Sequence, residues 1–270
     1  MVVQHNMQAI NTNRMLGQNV KAVAKSTEKL SSGYKVNRAA DDAAGLSISE
    51  KMRNQIRGLN QSVNNSEDGV SLIQTAEGNM NEIHSILQRM GELATKAAND
   101  VNATEDRTSI KDEMTELINE IDAICSKAAF NGTKLLDGSY TGKYLQVGAN
   151  YGENMKISIK EMSATVLGVK DVDVMSHDTA STAMSTIKQA IIDVSAARSL
   201  LGAKQNRLEY TINNLENYSE NLTSAESTIR DTDMAAEMTN YTKTSILQQA
   251  AQSMLAQANQ STQGVLSLIQ

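Results

Sequence analysis

The sequence predicts a mainly α-helical fold: a long antiparallel coiled-coil helix bundle with a small β-hairpin region and with the N- and C-terminal helices paired. Three observations carry that expectation. No proline occurs in the 270 residues, so nothing ends a helix by removing an amide donor and clashing with the preceding turn. From Ile187 to Ile229 a 4,3 spacing runs unbroken through Ile187, Ile191, Val194, Arg198, Leu201, Gln205, Leu208, Ile212, Leu215, Ser219, Leu222, Glu226 and Ile229, which is a sustained heptad seam. At about 1.5 Å per residue that helix would be on the order of 65 Å long. Finally, with one Phe, no Trp and seven Tyr, the chain lacks the rings that fill a wide core. Its Leu, Ile, Val, Ala and 14 Met suit thin layers between helices, methionine filling gaps where registers are imperfect.

In chain order, the first helix repeats the spacing at Leu16, Val20, Val23, Thr27, Leu30 and Tyr34. Ser31-Ser32-Gly33 should end it, glycine being the poorest helix former after proline. A polar connector, residues 34–45, leads to a longer seam through Met52, Ile56, Leu59, Val63, Ser66, Val70, Ile73, Glu77 and Met80. That seam slips once, to Ile83, Leu87, Met90, Ala94 and Ala97, a drift that supercoiling absorbs. A turn over residues 99–104 should follow, with Thr104 accepting from the free amides of a third helix and Glu105 and Asp106 favouring its positive end. Beyond Phe130, the pairs Asn131-Gly132 and Asp137-Gly138 mark tight turns, and Lys156-Ile157-Ser158-Ile159-Lys160 alternates with period two. The expected division is 1–45, 46–139, 140–175 (the β region), 176–230 and 231–270. The last helix carries Leu247, Ala251, Met254, Ala258, Ser261, Val265 and Leu268, and no residue from Thr244 to Gln270 is charged. A solvated helix alternates its apolar stripe with charges. Burial against copies of the same chain is therefore expected there, with disorder before it.

Several function classes are disfavoured. A net charge of −6 and the absence of basic runs with interleaved aromatics argue against nucleic acid as a partner. Cys125 is the single cysteine, which excludes an internal disulfide and cysteine-paired zinc frameworks; beside Ile124 on a helical seam, it reads as a small buried hydrophobe. The first 17 residues lack the charged and apolar segments of a cleaved signal peptide, and no apolar run is long enough for a membrane span. His5, His84 and His177 form no ligand motif. Gly138 to Lys143 resembles a phosphate loop one residue short and reads as a hairpin turn. Asp231 and Asp233 read as helix caps, and Ser26 to Lys29 as a solvated helix face with no pocket. No catalytic residue, metal ligand or cofactor is expected.

Specific segments resemble bacterial flagellin across essentially the whole chain. They include His5-Asn6-Met7 through Arg14, Glu28-Lys29-Leu30-Ser31-Ser32-Gly33-Tyr34, Asn37-Arg38-Ala39-Ala40-Asp41-Asp42-Ala43-Ala44-Gly45-Leu46, Phe130-Asn131-Gly132-Thr133-Lys134-Leu135-Leu136, Gln146-Val147-Gly148-Ala149-Asn150, Ile229-Arg230-Asp231-Thr232-Asp233-Met234-Ala235 and Leu255-Ala256-Gln257-Ala258-Asn259-Gln260. The resemblance implies a structural subunit of the extracellular filament used for swimming, exported without a cleaved signal peptide. Its paired termini would form the inner tube (D0: residues 1–45 and 231–270) and its middle the surrounding rod (D1: 46–139, 140–175 and 176–230). It also implies self-association through Leu16, Val20, Val23, Leu30, Leu247, Ala251, Met254, Ala258, Val265 and Leu268. Flagellar cap and hook-junction proteins would be partners, with an export chaperone on the C-terminal region. By motif position, Arg89, Leu93, Ile110 and Glu113 match residues with which flagellins engage the vertebrate Toll-like flagellin receptor. The geometry expected of them is one mixed patch, Arg89 and Leu93 sharing a helix side and the returning helix bringing Ile110 and Glu113 alongside. Three departures stand out: residues 140–175 leave no room for large outer domains, Thr228 stands where a basic residue is common, and Gly91 stands where strongly immunostimulatory relatives carry Arg. A secreted coiled-coil effector, or a junction protein that does not itself form the filament, is the alternative.

Overall fold

The computed structural model describes residues 6–267, with side chains described through Ser261. Its elements are α1 (Met7–Ser32), α2 (Ala43–Ala97), α3 (Thr104–Lys127), β1 (Ala129–Phe130), β2 (Thr133–Lys134), β3 (Lys143–Gln146), β4 (Asn154–Ile157), α4 (His177–Arg230) and α5 (Met234–Ser267). They fall into two compact units, residues 1–54 with 221–270, and residues 55–220. The mainly helical expectation, with paired terminal helices and a small β region, is the observed architecture.

The 55–220 unit is organised by the heptad seams. On α4, Ile187, Val194, Leu201, Leu208 and Leu215 are buried, whereas the alternate seam positions Ile191, Arg198, Gln205 and Ile212 are half-buried. On α2, Leu59, Ser66, Ile73 and Met80 are buried in the same rhythm, and after the predicted slip Ile83, Leu87, Met90, Ala94 and Ala97 are buried in an unbroken run. The polar seam members pair across helices: Arg198 meets Glu77 at 3.3 Å, and Ser219 donates to Asn60 at 2.8 Å. A charge at a seam position is tolerated when the opposite one faces it. α3 adds Ile110, Met114, Ile118, Ile121 and Cys125 to this core.

The start of α3 differs from the expectation. The N-cap is Ala103, one residue before Thr104, and the Asp106 carboxylate reaches back to accept from the Ala103 amide at 3.2 Å. A side chain three residues into the helix has thus taken the capping role assigned to Thr104, which is half of a capping box. The β region has two hairpins. Ala129 pairs with Lys134 and Phe130 with Thr133 around Asn131 and Gly132, whose φ values of 46° and 77° suit a tight two-residue turn. β3 and β4 pair antiparallel, Lys143 with Ile157 through Gln146 with Asn154. The alternation read at 156–160 is real in side-chain direction, Met155, Ile157 and Ile159 being buried, but the strand stops at Ile157. This second hairpin lies against α2: Asn65 donates to the Gln146 carbonyl at 3.2 Å, and a Cβ on Gly69 would collide with Leu145 Cδ2. Gly69 is therefore the residue that lets β3 approach the helix.

Cys125 is buried and donates from Sγ to the Met162 carbonyl at 2.9 Å. Burial, with the Asp122 and Glu161 charges nearby, pushes its thiol up to about 12. Since thiolate is the reactive form, an aryl disulfide reagent should label Cys125 at least about a hundredfold more slowly in native protein than in denaturant. Equal rates would contradict this burial.

Candidate assembly and recognition surfaces

In the unit formed by residues 1–54 and 221–270, α1 packs along α5. Asn6 caps α1 by accepting from the Ala9 amide at 3.0 Å, and its amide nitrogen donates to the Ala258 carbonyl at 2.9 Å. Gly33, with φ of 76°, closes the other end and donates its amide to Lys29, the left-handed ending glycine adopts without a Cβ penalty. α5 starts at an N-cap, Asp233, whose carboxylate accepts from the Ala235 and Ala236 amides at 2.9 and 3.1 Å. The helix extends to Ser267 already in a single copy. Pairing with α1 supplies the packing that charge would otherwise have to replace.

The seam between these helices takes only some of the positions the apolar spacing suggested. On α1 the covered positions are Ala9, Thr12, Leu16, Asn19, Val23, Ser26 and Leu30; on α5 they are Glu237, Tyr241, Thr244, Gln248, Ala251, Leu255 and Ala258. Of the residues assigned to self-association, Leu16, Val23 and Leu30 are half-buried and Ala251 and Ala258 buried in this seam, but Val20, Leu247 and Met254 point outward. Val265 is described as helix backbone only, and Leu268 lies outside the described residues. The contact within one copy mixes Leu16, Val23, Leu30, Tyr241 and Leu255 with small and polar side chains, while Ile10, Met15, Val20, Ile246, Leu247 and Met254 are left exposed, Ile246 at 59% and Met254 at 61%. Ser26 and Lys29, read as a solvated face, belong to the seam: Ser26 is buried, and Lys29 lies 3.6 Å from Glu237. Pairing of two helices covers only one side of each, so the apolar side chains on the other sides stay exposed.

The same unit contains a joint that no local spacing announced. Arg230, the last residue of α4, lies 2.8 Å from Glu50, is 3.4 Å from the Ser49 hydroxyl, and stacks 4.6 Å over the Tyr34 ring. Ser49 donates to Glu226 at 2.8 Å. Backbone bonds from Lys35 to Arg230 and from Thr232 to Gly33, at 2.8 and 2.9 Å, tie the two connectors together. The Arg230 guanidinium holds the Glu50 carboxyl below its usual range. A carboxylate with a depressed folded pKa contributes stability above its unfolded value, near 4.5, and loses it as pH falls through the folded one. In Arg230→Gln, Glu50 should titrate closer to that unperturbed value, as followed by carboxyl NMR; an unchanged titration would remove Arg230 as the cause.

In the 55–220 unit, Arg89 and Glu113 do meet on the surface. Arg89 donates from Nε and Nη2 to one Glu113 oxygen at 3.1 and 2.8 Å and from Nη1 to Glu92 at 3.1 Å; both carboxylates raise the Arg89 pKa further. The other half of the expected patch is elsewhere. Leu93 is 3% exposed and Ile110 5%, both within the hydrophobic core. Arg89 and Leu93 are four apart, but successive positions at that spacing drift about 40° around a helix, and the edge of the buried stripe falls between them. Leu93 therefore packs with Met90 and Ala94 behind the ion pair rather than beside it as a surface anchor. Gly91, next to this site, faces only Ile187 at the position a Cβ would take.

Among the described residues no group of His, Cys, Asp or Glu could hold a metal ion, and no helix is long and apolar enough to cross a membrane. Paired terminal helices with outward apolar side chains, joined to a lean heptad bundle, define a helical structural protein with surfaces left for partners. Comparison with known proteins agrees. The model of the bacterial flagellin N-terminal helical region matches residues 3–141, and that of the bacterial flagellin C-terminal helical region matches residues 184–269. A flagellin of Halalkalibacterium halodurans is 51% identical over the full length of both chains, and a flagellin of Bacillus subtilis 47%, also over the full length of both. The crystal structure of Bacillus cereus flagellin superposes with a TM-score of 0.52 at 29% identity, covering 56% of this chain and 88% of that one. The chain belongs to the bacterial flagellin family: it is a structural subunit of the flagellar filament, not an enzyme, and its place is the extracellular flagellum.

Proposed function

We propose that copies associate first through the outward apolar side chains of the α1·α5 pair, with Val20, Leu247 and Met254 as intermolecular contacts and Leu16, Val23, Leu30, Ala251 and Ala258 holding the pair that presents them. The observation that carries this reading is the second set of apolar side chains, Ile10, Met15, Val20, Ile246, Leu247 and Met254, that stays exposed when α1 pairs with α5. Burying such side chains between copies is worth about 25 cal/mol per Å² of apolar surface. In this reading residues 1–45 and 231–270 form the tube of the filament, and 46–139, 140–175 and 176–230 form its rod. Cap and hook-junction proteins offer the same kind of partner surface at the filament's two ends, and an export chaperone covers the uncharged C-terminal helix before assembly. Electron microscopy of the salted-out protein tests self-assembly: helical fibres are expected, and a soluble monomer under all conditions would overturn it.

The chain is further proposed as a ligand of the vertebrate Toll-like flagellin receptor, through Arg89 and Glu113 as the groups that touch it, with Leu93 and Ile110 fixing the spacing of α2 and α3 from behind. The planar fork of Arg suits a receptor carboxylate or carbonyl. Arg89→Ala with Glu113→Ala should weaken monomer binding by about tenfold or more without unfolding the protein. Intact filament should bind less well than monomer, because packing covers the face. Unchanged binding of the double variant would remove the site.

A further inference from the structure

Two oppositely charged surfaces of the 55–220 unit remain unsatisfied within one copy. α3 holds seven carboxylates and three cations, the largest excess of negative charge of any of the helices. Three of those groups are neutralised locally: Lys111 by Asp173 at 3.0 Å, Arg107 by Asp100 at 3.0 Å, and Glu113 by Arg89 at 2.8 Å. Asp112, Glu116 and Glu120 are exposed, lie four apart along one face, and form no ion pair among the described residues. Like charges at that spacing repel and destabilise a helix, so the row stands at a cost to the single copy.

The opposite surface is carried by β4 and α4. Lys204 donates from Nζ to the Lys156 carbonyl at 2.7 Å, which brings the two cations together, and Arg207 follows three residues later on the same face of the helix. None of the three forms an ion pair among the described residues. Partial burial, with the Arg207 and Lys156 charges beside it, lowers the Lys204 pKa, as expected where cations crowd without a counter-charge.

We infer that Lys156, Lys204 and Arg207 of one copy receive the Asp112, Glu116 and Glu120 row of a second copy in a head-to-tail contact. The inference rests on the filament reading above. The occupant is a second copy because three cations meet three carboxylates of the same chain and the two sets do not neutralise each other within one copy. Such a contact is heterologous: each added subunit covers one surface and leaves the other free, so growth continues as an open helical array. A nucleic acid is a poor fit, since the chain carries −6 overall and the cations form no extended run. Charge complementarity would also steer subunits into register at the growing end.

The test is charge reversal with rescue. One variant carries Lys156→Glu and Arg207→Glu, the other Asp112→Lys and Glu116→Lys, all at exposed positions, and folding of each is checked by circular dichroism. Elongation from filament seeds is followed by light scattering. Each variant alone should elongate at least about tenfold more slowly than the parent, and a one-to-one mixture, or a chain carrying all four changes, should recover most of the rate. Parent-like elongation by both single-surface variants, or no recovery in the mixture and the four-change chain, overturns the pairing while leaving filament formation intact. Failure of the parent itself to elongate overturns the filament reading and the pairing with it.

Discussion

Removing residues 244–270 should abolish filament formation while leaving residues 55–220 folded. The deleted stretch contains no charged residue and includes Ala251 and Ala258, which are buried against α1, as well as Ile246, Leu247 and Met254, which are exposed. Its loss would strip α1 of its partner and remove Ile246, Leu247 and Met254 from the outward apolar set. Helical stability in proteins comes mostly from the packing of a covered face, so α1 should lose helicity as well. The 55–220 unit has its own core, including the fully buried Ile73, Ile83, Leu87, Met90, Ile121 and Ile187, and should keep a cooperative thermal transition. Electron microscopy after salting-out, beside a thermal melt of the truncated chain, makes the measurement. Filaments from the truncated chain would overturn the role of the terminal pair.

Leu93→Ala should destabilise the 55–220 unit by about 2–5 kcal/mol, the range for truncating a buried leucine. At 3% exposure within the core, its truncation leaves a cavity that helix packing cannot easily close. Arg89→Ala should leave the stability nearly unchanged, because its partners sit on the surface, where ion pairs are screened. Urea unfolding of the two variants separates them by midpoint. The contrast bears on receptor binding: weakened binding by Leu93→Ala would reflect disturbed packing as much as a lost contact, whereas Arg89 and Glu113 can be altered without that confusion. A Leu93→Ala variant of nearly parental stability would instead show that this side chain is free to meet a partner.

Much of the fold was legible because helices in this chain are specified by repetition. The absence of proline, the seams on α2 and α4, and the slip before Ile83 all act through the period of the helix, which a sequence displays directly. Asn131-Gly132 was equally plain, since few other residue pairs accept the backbone angles its turn requires. Asp233 as a cap was readable from its chemistry and position. Thr104 was not, because Asp106 could satisfy the same helix end from inside the first turn.

What the sequence by itself determined, then, was where helices and turns occur and that the two ends pair. Tertiary structure decided which of the predicted seam positions on α1 and α5 are covered, and on which side of the buried edge Leu93 falls. On α1 and α5 the apolar spacing ran through Leu16, Val20, Val23, Leu30, Leu247, Ala251, Met254 and Ala258; the pair closes over Leu16, Val23, Leu30, Ala251 and Ala258 and leaves Val20, Leu247 and Met254 exposed, because one partner helix covers only one side of each. On α2, Leu93 shared a motif with Arg89 but fell inside the core, since a spacing of four residues drifts around the helix. The joint of Tyr34, Ser49, Glu50 and Arg230 brings together residues about 180 positions apart. Helical period is a local property of the chain. The choice of face and the meeting of distant residues depend on which surfaces come together, and that is settled only when the helices pack.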